Sequence, residues 1–189
     1  LPTFVFNVTR INPFKRKNVM GKERWYEKIA FTFQTNFSNS VSNFKQDEFM
    51  KRDMFERMRF GFQHQLPVNA SFNVLKYLNV TPGFNYTERW YFRKIYQDWN
   101  PETERVENTD TTHGFYRVYN YAASLSANTR LYGMYELGRK GKIKLRHVMT
   151  PSISFSYAPN FGKERYGYYR TIQSDKHGGT TTYSPFANE

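Results

Sequence analysis

Apolar and polar residues alternate along this chain with a period of two, over stretches far longer than an ordinary strand. That regularity limits what the chain can fold into. From Met58 to Phe72 the even positions include Phe60, Phe62, Leu66, Val68 and Phe72, and the odd ones Gln63, Gln65, Asn69 and Ser71. From Leu78 to Arg93, Leu78, Val80, Phe84, Tyr86 and Trp90 alternate with Asn79, Thr81, Asn85, Thr87 and Arg89, with Glu88 and Tyr91 as exceptions. Residues 119–131 and 143–157 repeat the pattern through Tyr121, Leu125, Ile153 and Phe155 set against Ser124, Ser126, Ser152 and Ser154. Trp25 to Phe37 reads as a fifth strand, and Phe4, Phe6 and Val8 as a sixth. A period of two means strands with one greasy and one wet face.

Any half-buried antiparallel sheet alternates in this way, so length must decide the class. Strands in soluble proteins run about 5–6 residues, whereas a tilted membrane-crossing strand needs about 9–11 and often continues beyond the bilayer. These segments predict an all-β fold, an antiparallel transmembrane β-sheet of about six to seven long strands; a soluble β-rich module is the alternative. The mean hydropathy of -0.79 does not oppose this, because alternation averages the apolar rows away. No apolar run approaches the roughly 18 residues of a membrane-spanning helix. The 18 Phe, 15 Tyr and 3 Trp suit strands and interfacial girdles.

Long and short links alternate, as they do when one barrel rim faces the exterior and the other the periplasm. On this reading 10–24, 73–77 and 132–142 are periplasmic, and 38–55, 97–112 and 160–189 external. Too few strands are present to close the smallest usual barrel of about 8. Residues 1–189 are therefore expected to be one segment of a larger barrel domain, incomplete at both ends. The chain starts at Leu1 without a charged, apolar, small-residue leader, so a secretory signal is expected to be absent or to lie outside this stretch.

Chemistry is sparse. There is no cysteine, hence no disulfide or thiolate zinc site. No nucleophile elbow or zinc-binding helix motif occurs. The four histidines, His64, His113, His147 and His177, are isolated in sequence. Neither an enzyme nor a cofactor is expected. The acidic stretch holding Glu102, Glu104, Glu107 and Asp110 lacks the order of a calcium loop and reads as a solvated external loop. A net charge of +12 raises nucleic acid as a partner, but the aromatic residues and strand-borne cations such as Arg59 and Arg130 fall on opposite faces. No stacking platform is built, and no nucleic acid is expected. Two basic clusters remain. Lys15, Arg16, Lys17, Lys22 and Arg24 lie in one link; Arg139, Lys140, Lys142, Lys144 and Arg146 lie in or beside another. Their plain reading is contact with anionic lipid headgroups, or solubility. Pro67, Pro82 and Pro151 interrupt strand patterns, each removing a ladder donor, and a bulge or kink is expected at each.

Several strings resemble the LptD family of outer-membrane barrels, in the branch whose sequences lack cysteines. They are RINPFKRK, with Arg10 and Pro13; GKERWYEKI, with Trp25 and Tyr26; and YLNVTPGFNYTERWY, with Arg89 and Trp90. LSANTRLYG carries Arg130 and Gly133, and RHVMTPSISFSYAPNF carries Arg146, His147 and Pro151. The resemblance covers nearly the whole chain. It implies a barrel of about twenty-six strands in the cell outer membrane, which inserts lipopolysaccharide into the outer leaflet through its lumen and a lateral opening. It further implies a plug lipoprotein and periplasmic bridge proteins as partners, beside lipopolysaccharide and membrane lipids. Under it, Lys15, Arg16, Lys17, Arg139, Lys140 and Arg146 become candidates to guide a phosphorylated glycolipid. Another outer-membrane barrel, a porin or adhesin, is the alternative.

Overall fold

The structure, a computed structural model, describes residues 3–18, 21–40, 51, 59–75, 77–137 and 143–186. Eleven strands occur among them: β1 (Phe4–Ile11), β2 (Ala30–Ser40), β3 (Arg59–Asn69), β4 (Phe72–Val74), β5 (Leu78–Asn100), β6 (Arg105–Thr129), β7 (Leu131–Leu137), β8 (Ile143–Met149), β9 (Ser152–Tyr157), β10 (Arg170–Gln173) and β11 (Thr180–Tyr183). The main sheet runs β1-β2-β3-β5-β6-β9, with β4 extending β3 along β5, and every pairing is antiparallel. It does not close on itself, so it is an open wall rather than a finished barrel.

Register places the apolar rows side by side. Phe37 pairs with Phe62 and Phe62 with Trp90; Val68 pairs with Phe84, Phe84 with Ala123, and Leu125 with Phe155. The opposite face aligns Gln34 with Gln65, Asn79 with Asn128, Thr81 with Ser126, and Ser126 with Ser154. Among the described residues no second layer covers the apolar rows: Ile153 is 74% exposed and Phe155 67%. The buried apolar residues among those described are Ala30, Ala70, Ile95 and Phe186, far too few for the core of a soluble domain. The chain exposes 14617 Å², against roughly 9,500 Å² for a compact monomer of 22.7 kDa. A soluble sandwich would bury these rings against a second sheet, and no such layer exists among the described residues. Lipid is the environment that satisfies them.

Four sequence expectations are corrected. Trp25–Lys28 is a turn of 3-10 helix, not the start of a strand, because the Glu27 carboxylate turns back to accept the Arg24 backbone N–H at 2.8 Å. Residues 97–112 are largely strand, since β5 and β6 pair out to Asn100 and Arg105. This projection lies between water and the β10–β11 segment rather than lipid, so no apolar alternation marks it, while Gln97–Asn108 and Asn100–Glu107 side-chain hydrogen bonds span the two strands. At about 3.3 Å per residue and a tilt near 40°, the 23 residues of β5 rise roughly 60 Å, well beyond an apolar band of about 25 Å. Residues 132–137 likewise lie in β7, which pairs with β8 from Leu131↔Met149 to Leu137↔Ile143, while 138–142 are outside the described residues. Residues 160–182 carry the β10–β11 hairpin rather than an irregular loop. Within the stretch 38–55, only Ser38, Asn39, Ser40 and Lys51 are among the described residues.

The prolines make gaps, not bulges. In the antiparallel ladder Ala70 faces Pro82; Ala70 N–H donates to Pro82 O at 3.1 Å, but Pro82 has no N–H to return. The strand stops there and resumes as β4 in the same register. Thr129 N–H donates to Pro151 O at 3.2 Å with the same one-sided result, which separates β6 and β9 from β7 and β8. Opposite Pro67, the β2–β3 ladder loses its Thr32 and Phe33 pairings and then continues unshifted.

Spin labels in the full chain embedded in lipid test the two faces. Labels at Phe62, Phe84 and Leu125 are expected to relax with a lipid-soluble quencher, and labels at Gln65, Asn85 and Ser126 with a water-soluble one. Equal response on both faces would refute the arrangement.

Candidate functional site

The wet face is the inner wall of the sheet, and most of its side chains are short, neutral hydrogen-bonding groups, with cations such as Arg89 among them. Gly83 lets the wall close up there, since a Cβ at that position would lie 2.6 Å from Ser124 Oγ. Two hollows interrupt this face, one towards each rim.

The first, of about 260 Å³, lies beside the link between β1 and β2; Arg10, Lys28, Thr32, Asn69, Ser71 and Thr81 are among its walls. Local chemistry builds it. β1 and β2 shift register between Val8 and Ile11. The extra residue returns Ile11 to the outer row opposite Phe31 and places Arg10 on the inner side with Thr32. Simple alternation would have put Arg10 outside with Phe4, Phe6 and Val8. Asn12 then clamps the link: its Nδ2 donates to the carbonyls of Ile29 (3.1 Å) and Glu27 (3.4 Å). Glu27 has a fully buried side chain. It accepts hydrogen bonds from Arg16 Nε and Nη2 as well as from Arg24 N–H. The Arg16 hydrogen bond, helped by the Arg24 N–H, holds the Glu27 carboxyl below its usual range, and the same contact raises Arg16. Lys28 is thereby fixed at the edge of the hollow while its neighbour Glu27 is wholly occupied by other partners.

The second hollow, of about 580 Å³, lies near the far rim between the inner wall and residues 161–186, with Arg89, Asn120, Tyr168 and Tyr183 among its walls. This strap is tied down by Ile95 N–H to Pro185 O (3.1 Å), by Gln97 N–H to Tyr183 OH (2.8 Å), and by Phe186 stacked on Tyr91 at 5.2 Å.

The outer face carries a polar cluster at one height, which alternation registered only as exceptions. Glu88 accepts hydrogen bonds from Tyr86 OH and from Trp90 Nε1 (2.6 Å), and Arg117 Nε lies 3.8 Å away. Thr35 Oγ1 meets His64 Nδ1 at 3.0 Å on the two strands beside it. Phe60, Phe62, Phe92 and Phe115 ring the cluster. Glu88 stands ten residues up β5 from Leu78, about 33 Å of strand and roughly 25 Å of height once tilted. That is where an aromatic girdle belongs.

The sequence candidates separate accordingly. Lys15 and Lys17 are exposed on the link that follows Pro13, whereas Arg16 is occupied by Glu27. Arg146 sits on β8 with its guanidinium 4.8 Å from the Tyr132 ring centre, and Gly133 pairs with His147 beside it. Arg139 and Lys140 lie outside the described residues. Of the second cluster, Lys144 and Arg146 lie on β8, towards the opposite edge of the sheet from the 12–29 link, with β3 and β5 between. Lys144 and Arg146 therefore do not share a site with Lys15, Arg16 and Lys17. Trp25 is exposed, with its ring 5.9 Å from Tyr26, which accepts from Arg24 Nη1. Arg130 is exposed between β6 and β7, next to the Pro151 gap. Of the acidic stretch, Glu107 accepts from Asn100 and Thr103, and Glu104 lies 3.7 Å from Lys176. Sequence reasoning missed Lys28 as a site residue; its spacing from Arg10 becomes meaningful only once the link is folded.

A single antiparallel layer with a lipid-seeking outer face, a hydrated inner face and an aromatic girdle defines the wall of an outer-membrane β-barrel. A model of the family described as LptD protein matches residues 1–189, the whole chain. The chain belongs to the LptD protein family, whose members serve lipopolysaccharide transport and assembly at the outer membrane rather than catalysis. No curated protein and no solved structure matches the chain significantly.

Glu27 offers a test of how the rim is held. Because its folded pKa is depressed, its contribution is complete above the ordinary value of 4.5 and disappears as pH falls through the lower folded value. Amide exchange protection across residues 24–29, corrected for intrinsic rates, is expected to drop several-fold in Glu27→Gln at neutral pH. The wild type is expected to lose it only below 4.5. Equal protection in variant and wild type at neutral pH would show that the ion pair does not hold the link.

Proposed function

We propose that this sheet is part of the wall of a larger closed barrel that delivers lipopolysaccharide to the outer leaflet of the outer membrane. The glycolipid's sugars and phosphates pass along the hydrated inner face, and the molecule leaves sideways through a lateral opening. One observation carries the reading: a continuous inner surface of Asn, Gln, Ser and Thr is set in register across six strands, back to back with exposed aromatic and aliphatic rows. A wall made mostly of hydroxyls and amides, with few cations such as Arg89, exchanges hydrogen bonds with sugars without trapping them. Porins share such a lining; family membership favours glycolipid transport over simple diffusion.

In this reading β1 and β9 pair with further strands of the barrel, since lipid leaves no unpaired strand edge unpunished. The rim bearing the 12–29 link and the β7–β8 hairpin faces the periplasm, where bridge proteins hand over the glycolipid and a plug lipoprotein occupies part of the lumen. Lys15 and Lys17 meet anionic headgroups at that rim.

Photoreactive residues at Asn85 and Leu125 test the route in the full chain with its transport partners. Capture of lipopolysaccharide at Asn85 is expected to require ongoing supply from the periplasm and to fall at least about tenfold when supply stops. Capture at Leu125, on the outer face, is expected to continue from lipid already in the membrane. Supply-independent capture at Asn85, or none, would overturn the lumen route.

A further inference from the structure

We propose that the hollow beside the β1–β2 link is a phosphate-binding niche, in which Arg10 and Lys28 together hold a phosphate group of the glycolipid as it moves onto the inner wall. The inference rests on the transport reading above and assigns one station on that route to two residues.

What marks the niche is that two cations without a carboxylate partner among the described residues border the same hollow. Arg16 is bound to Glu27, Arg117 lies beside Glu88, and Lys176 faces Glu104. Arg10 and Lys28 have no carboxylate within ion-pair distance among the described residues, although both border one small hollow. Two cations held on adjoining walls repel each other, and an anion between them relieves that cost. Thr32 and Thr81 add hydroxyls and Asn69 an amide, so the lining offers donors for the further oxygens of a tetrahedral anion, while the Ser71 hydroxyl is already donated to Asn79 Oδ1 at 2.9 Å. Charge-assisted bonds of this type are the strong ones, and the planar guanidinium suits phosphate geometry.

Three independent features of the backbone produce this arrangement. The register shift before Ile11 turns Arg10 inward. The Asn12 clamp and the Glu27 hub fix Lys28. Pro67 removes the donor that would close the β2–β3 ladder at Thr32, so a hollow stands where a continuous sheet would be flat. A solubility role would require none of these, because lysines at the link tip already serve it.

The phosphate has two possible sources, a phosphorylated glycolipid or a phospholipid headgroup, and the proposal commits to the first. A photoreactive residue at Asn79, next to Thr81 on the inner side of β5, reads the niche in the full chain with its transport partners. Wild type is expected to capture phosphorylated lipopolysaccharide and to lose at least about tenfold of that signal with phosphatase-treated lipopolysaccharide. Arg10→Gln with Lys28→Gln is expected to lose as much with the untreated glycolipid, while Arg10→Lys with Lys28→Arg keeps most of it. Heat-modifiable gel migration identifies folded barrels, and only those are compared. Capture that ignores both the charges and the phosphates would overturn the niche, and so would preferential capture of phosphatidylglycerol. Supply-dependent capture at Asn85 in the same preparation separates the two readings: if it persists while Asn79 is indifferent, the niche falls and the transport route stands.

Discussion

In hydrocarbon, every backbone N–H and C=O has to be paired within the protein, because no water is there to take its place. Antiparallel ladders meet that demand strand by strand and so fix register, and register decides which side chains meet. Once Phe62 lies between Phe37 and Trp90, and Ser126 between Thr81 and Ser154, one face is greasy and the other wet over the whole sheet. A one-residue slip in any strand would send its aromatic row into the wet interior. The functional surface thus follows from a backbone requirement.

Where the ladder is deliberately incomplete, the wall acquires features. Three prolines withhold donors at Thr32, Ala70 and Thr129 without shifting register, so the cost stays local and the rows remain aligned. One gap adjoins the small hollow on the inner side; another sets off the β7–β8 hairpin that projects from the same rim. A bulge acts differently, since it changes which way a side chain faces. The one before Ile11 brings a cation inward, while those near Tyr91 and Tyr96 bend the long β5–β6 hairpin beyond the membrane level. Missing donors and extra residues are two separate tools for shaping a sheet.

Polar groups on the outer face follow a third rule. Glu88, His64 and Arg117 sit among aromatic rings at the height where the apolar band ends, and each finds a partner on its own or an adjacent strand. A carboxylate is tolerated there because Tyr86 and Trp90 supply hydrogen bonds in place of water. The Arg16–Glu27 pair applies the same logic at the rim, where it fastens the link instead of presenting a free charge.

The sequence by itself determined the class of fold, the two faces and the approximate span of the membrane-level strands. These are properties of alternation and length, which act residue by residue and need no partner. It also marked Arg10, Pro67 and Asn69 without giving them a common purpose. Only the tertiary structure decided that Arg10 faces inward, that Arg16 is committed to Glu27 while Lys28 is not, and that residues 97–112 are paired strand. Each of these depends on a contact between residues far apart in the chain: a register shift against β2, a carboxylate folded back across a link, a ladder in water where no apolar period remains. Periodicity reports what a side chain's surroundings must be like, but pairing decides which neighbour supplies them.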